Sequence, residues 1–219
     1  MLRRTAHKNK TRRVFKYRLY PTVEQLIMLC KTFGCTRKTY NELLEERLTA
    51  YEQYKDDPAQ LNNVEYSTPA ALKQSYPYLS EVDSLALANA QCNLAAAFAN
   101  FYAGRADLPK YKKKRSNQSY TTNNQNGSVR IEGGKLRLPK IGFVRMRQHR
   151  SLPDGCVIKS VTIRRTASGK VFAAILVEME PANVTPVVPN PEKMLGLDYS
   201  SKECYVDNHL SEFVQVFQT

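Results

Sequence analysis

The stretch VFKYRLYPTVEQ, residues 14–25, sets two structural periods back to back. Phe15, Tyr17 and Leu19 fall on one side, while Lys16, Arg18 and Tyr20 fall on the other, the alternation of a half-buried strand. Pro21 ends that strand. Thr22 and Gln25 have the spacing of a capping box, in which each side chain satisfies the other residue's backbone N–H at a helix start. Leu26, Leu29, Cys30 and Phe33 continue as a helical apolar face, and Gly34 predicts a break. A second helix follows, with Tyr40, Leu43, Leu44, Leu48 and Tyr51 inward and Glu42, Glu45, Glu46 and Arg47 outward. Thr68-Pro69 opens a short helix that Pro77 limits. Residues 84–103 make an Ala-rich helix anchored by Leu87, Leu94, Phe98 and Phe101, with Gly104 just beyond it.

After Pro109 the period returns to two. Residues 116–127 (SNQSYTTNNQNG) read as a polar loop. Val129–Ile131 and Lys135–Leu138 flank Gly133-Gly134, a compact hairpin signal. Phe143 to Arg147 alternates with basic side chains, and Val157–Arg165 with Val171–Glu180 form a longer hairpin around Ser168-Gly169. Residues 181–191 hold four prolines and no charge, the composition of an extended linker. Strands thus bracket a block of helices. The fold class is α+β, a small closed β-barrel with a helical lobe inserted after its first strand.

The chain has 219 residues and a formal net charge of +13, from 33 Lys and Arg against 20 Asp and Glu. Its hydrophobic content of 42% supports a core and excludes wholesale disorder. No apolar run approaches the roughly 18 residues of a membrane span, so no membrane partner is expected. Residues 1–13 are basic with no apolar segment after them, so no secretory signal is read. The five Cys contain no CxxC pair, which argues against a disulfide framework or a zinc site and for the reducing cytoplasm.

Charge is segregated. Residues 1–20 carry eight Lys/Arg and no acid, residues 105–150 carry +11, and residues 40–85 carry −6. Basic blocks neutralise phosphates and release counterions, so the expected partner is a nucleic acid. The candidate contacts are Arg12, Arg13, Lys16, Arg18, Lys110, Lys112, Lys113, Lys114 and Arg115. Tyr111 and Tyr120 add aromatic faces for unpaired bases, and Thr121, Asn123 and Asn124 add short hydrogen-bonding groups. Farther on, residues 194–201 (MLGLDYSS) read as an apolar strand ending in Asp198. A lone strand-Asp-Ser string suits a structural carboxylate as well as a metal ligand.

The strings FKYRLYPTVEQ (15–25), FGCTRKTYN (33–41), LPKYKKKRSNQSYTTNNQNG (108–127), RIEGGKLRLPKIG (130–142) and LGLDYSS (195–201) occur in that order. Over residues 10–207 the chain resembles TnpB, the insertion-sequence-encoded RNA-guided DNA endonucleases related to type V CRISPR effectors. The resemblance implies a wedge barrel of oligonucleotide-binding type, built from a basic arm and first strand (1–21) and residues 108–182. It also implies a helical recognition lobe (22–107), a Pro-rich linker (183–193) and an RNase H-like RuvC segment (194–219). Guide RNA and target DNA are the implied partners. Mg2+ is the implied cofactor, with Asp198 as the first RuvC acid. The family's later Glu, its Asp and its four-cysteine zinc ribbon have no counterpart before Thr219, and its Gln-rich DNA-facing helix surface is replaced by Leu85, Ala88 and Asn89. The expectation is the N-terminal portion of such a protein, a barrel and helical lobe followed by a truncated RuvC segment, that binds guide RNA and target DNA without cutting alone. The alternative is half of a split nuclease completed by a separate C-terminal chain.

Overall fold

A computed structural model describes residues 10–115, 118–180, 197–198 and 206–207. The expected arm over residues 1–9 and the linker over 183–193 lie outside them. The chain divides into two units, Met1–Glu180 and Pro181–Thr219.

In the first unit, β1 (Thr11–Tyr20) leads directly into α1 (Val23–Tyr54). Thr22 caps that helix with the expected box, accepting from the Gln25 N–H while the Gln25 side chain accepts from the Thr22 N–H. Gly34 does not break it, and two expected helices are one of 32 residues. A helical Gly costs about 1 kcal/mol against Ala. Burial of Leu29 and Phe33 before it, and of Cys35 and Tyr40 after it, outweighs that cost. Then come α2 (Pro58–Asn62), α3 (Pro69–Ser75), a 3-10 turn (Pro77–Glu81) and α4 (Ser84–Tyr102).

The remaining strands are β2 (Gln118–Asn123), β3 (Arg130–Glu132), β4 (Lys135–Leu138), β5 (Gly142–Arg147), β6 (Val157–Arg165) and β7 (Val171–Met179). They pair antiparallel with β1 in the order β2-β6-β7-β1-β5-β4-β3. Two expectations need correction. Residues 118–123 are a strand rather than part of a polar loop. Only Tyr120 and Thr122 face inward there, so the apolar signal is thin. The sheet is also open, since no described ladder joins β2 to β3. Asn124 spans the gap instead, its amide donating to the Ile158 carbonyl and accepting from the Val129 N–H, each at 3.0 Å.

Two apolar clusters hold the unit together. One lies under the sheet and takes Leu29 and Phe33 from α1 and Ala86 from α4. The other, within the helices, centres on Leu43, Leu44, Leu79, Leu87 and Leu94. The second unit has one described ladder, β8 (Leu197–Asp198) with β9 (Val206–Asp207).

Candidate nucleic-acid interface

Alternation along β1 sends Phe15, Tyr17 and Leu19 into the core and leaves Lys16, Arg18 and Tyr20 on the outer face. Register then decides what joins them. Arg18 stands opposite Arg147 and Tyr20 opposite Arg145. Lys135 is also opposite Arg145, Arg137 is opposite Phe143, and Arg130 is opposite Arg137. On the other flank, Phe172 lies between Arg18 and Arg164. Three rungs therefore set cation against cation: Arg18–Arg147, Lys135–Arg145 and Arg130–Arg137. Like charges directly opposite destabilise a sheet.

Aromatic rings keep this face ordered. Arg18 and Arg145 lie 5.0 and 5.9 Å from the centre of the Tyr20 ring. Arg130 lies 5.4 Å from Phe143, and Lys16 lies 4.9 Å from Phe172. These rings support cations instead of presenting two bare faces to bases. The Arg18 Nε is buried and has no hydrogen-bond partner among the described residues. Sequence reasoning found Lys16 and Arg18 but omitted Arg130, Lys135, Arg137, Arg145, Arg147 and Arg164 as contacts. The alternation of 135–138 and 143–147 was the signal for most of them.

Arg12 is drawn to Glu178 at 3.4 Å, beside Lys10 at 3.4 Å and Lys159 at 3.8 Å. Arg13 takes the same parity as Phe15, so it lies on the opposite face from Lys16 and Arg18 although it is exposed.

The second basic segment runs along α1. Its Lys110, Lys113, Lys114 and Arg115 are exposed. Tyr111 donates its hydroxyl to Glu45, and the Lys112 ammonium sits 3.8 Å from the centre of the Tyr40 ring. Burial of that ammonium lowers the Lys112 pKa even though the residue as a whole is exposed. A cleft of about 320 Å³ opens beside it, lined by Phe33, Arg37, Asn93, Lys112, Lys113 and Thr121 among others.

Tyr120 does not offer a stacking face. It is 5% exposed and packs against Phe33 with ring centres 5.5 Å apart, and burial pushes its phenol pKa upward. Asn124 binds backbone with both ends of its amide. The hydroxyls of Thr121 and Thr162 are 2.8 Å apart on the outer face, and Asn123 is exposed opposite Ser160.

In the second unit, Asp198 is opposite Val206 and Asp207 opposite Leu197, so the two acids occupy successive rungs. Among the described residues no group of three or more His, Cys, Asp or Glu could hold a metal. No helix among them is long and apolar enough to cross a membrane.

The profile of the OrfB_IS605 helix-turn-helix domain matches residues 11–56. In the structure that stretch is β1 followed by the uninterrupted α1. A Streptomyces pristinaespiralis protein provisionally named as an RNA-guided DNA endonuclease is 34% identical over 193 residues, covering 86% of this chain and 46% of that protein. The chain belongs to the TnpB family. InsQ of Escherichia coli K12, under the same provisional description, is 27% identical to this TnpB-family chain over 195 residues, or 86% of the chain and 45% of InsQ. The chain thus spans about half the length of these curated relatives. The virulence protein VsdF of Salmonella dublin is 31% identical over 111 residues, covering 47% of this TnpB-family chain and 93% of VsdF.

Proposed function

We propose that residues 10–180 form a phosphate-binding platform for guide RNA and target DNA. The outer face of the sheet meets the backbone, and the 110–115 run extends the contact along the helices. The cation-on-cation rungs carry this reading. A fold that sets Arg18 against Arg147 gathers like charge that Glu132, paired with Arg130 and opposite Lys135, offsets only at the β3 edge, and a polyanion relieves the rest. Both relatives named as RNA-guided DNA endonucleases support the choice of RNA and DNA. Supported rings and side-chain cations address phosphates, so binding is strong and largely indifferent to sequence. Titrating salt against single-stranded RNA and duplex DNA tests this. Log affinity should fall steeply and linearly with log salt for both, whereas affinity insensitive to salt would remove the platform.

Cleavage is a separate matter. RuvC chemistry needs carboxylates from different strands converging on divalent ions. By the resemblance Asp198 falls on the first RuvC acid, and a single carboxylate holds Mg2+ weakly because the ion keeps most of its waters. The 219-residue chain with guide RNA, matched target and millimolar Mg2+ is expected to leave DNA intact, and Asp198→Ala to change nothing. Cutting that vanishes in Asp198→Ala would reverse this reading.

A further inference from the structure

Asn41 projects from α1 onto a residue 71 positions away and binds it with both ends of its amide. Its Nδ2 donates to the Lys112 carbonyl at 3.1 Å, and its Oδ1 accepts from the Lys112 N–H at 2.9 Å. One side chain thereby supplies the paired bonds of a single β-ladder rung. The flanking contacts come from the same helix: Tyr40 lies under the Lys112 ammonium, and Glu45 takes the Tyr111 hydroxyl. Residues 111 and 112 are held by backbone and side chain alike. The chain then leaves this fixed point as Lys113, which lines the cleft together with Arg37 and Asn93, followed by the exposed Lys114 and Arg115.

A basic run in a free loop must be ordered when it binds, which lowers affinity, whereas a run already anchored loses less freedom. Nothing about Asn41 itself is suited to meeting a phosphate, since its amide is committed to Lys112. We propose that Asn41 is a positioning residue, fixing where Lys113, Lys114 and Arg115 meet the nucleic-acid backbone. This rests on the phosphate-binding reading above.

A mutant cycle tests it. Asn41→Leu, the triple Lys113→Ala, Lys114→Ala, Arg115→Ala, and their combination are compared with the unaltered chain for single-stranded RNA affinity at fixed salt. Thermal unfolding and amide exchange at Lys112 are followed alongside. Asn41→Leu should weaken binding about tenfold and expose the Lys112 amide to exchange. The combination should bind no more weakly than the triple, because an anchor has nothing to position once the cations are gone. Multiplying effects would overturn the role of Asn41 while leaving the platform standing. A triple variant that binds like the unaltered chain would instead remove the 113–115 run from the interface. Should Asn41→Leu fail to fold, Asn41→Asp keeps the acceptor for the Lys112 N–H and loses the donor. The same non-additivity is expected of it, and its absence overturns the proposal equally.

Discussion

Replacing Lys16, Arg18, Arg145 and Arg147 together by Gln should lower affinity for single-stranded RNA by about two to three orders of magnitude near physiological salt, with little change in stability. Each phosphate contact contributes about 0.7 to the slope of log affinity against log salt on a single strand, so four should remove close to three units. The stability side is a near balance. Cation–π support at exposed sites is worth about 0.5–1 kcal/mol. Removing Arg18 and Arg147 from opposing positions, and Arg145 from opposite Lys135, returns about 0.2–1 kcal/mol per rung. Retention of affinity within twofold would eliminate the sheet face. A large drop in melting temperature would mean that those cations serve the fold instead.

How much of this the sequence disclosed depends on the range of each interaction. The start of α1 was legible because Thr22 and Gln25 act three residues apart. Gly34 misled because local propensity argues for a break, while the burial of Cys35 and Tyr40 that carries the helix onward is tertiary. The outer face was half legible: alternation gave the parity of each strand, but only pairing register brings Arg147 against Arg18 and Arg137 against Arg130. The surroundings of Tyr120, Thr122 and Asn124 were hidden for a related reason. Their neighbours are polar, and the partners that bury or bond them come from Phe33, Asp83 and Ile158. The Asn41–Lys112 contact has no local trace at all.

Asp83→Ala is expected to destabilise the first unit by about 2–4 kcal/mol in urea unfolding, the largest stability effect of a single polar residue here. Asp83 is 8% exposed and works in two directions. One oxygen caps α4 by accepting the Leu85 N–H at 3.1 Å, and the other accepts the hydroxyl of Thr122 on β2. Losing an N-cap costs about 1 kcal/mol. Leaving the fully buried Thr122 hydroxyl without a partner adds about 1–3 kcal/mol. Thr122→Val separates the two contributions, because valine keeps the volume and removes the hydroxyl. Asp83→Ala with Thr122→Val should then cost less than the sum of the single changes, since the orphaned hydroxyl is gone with its acceptor. Strict additivity, or a loss below about 0.5 kcal/mol for Asp83→Ala, would show that the two residues are not coupled. The coupling reaches the cleft as well. Asn93 on α4 and Thr121 on β2 line it, and Asp83–Thr122 is the polar tie between those two elements, so both single variants should also weaken RNA binding when the 113–115 run is intact.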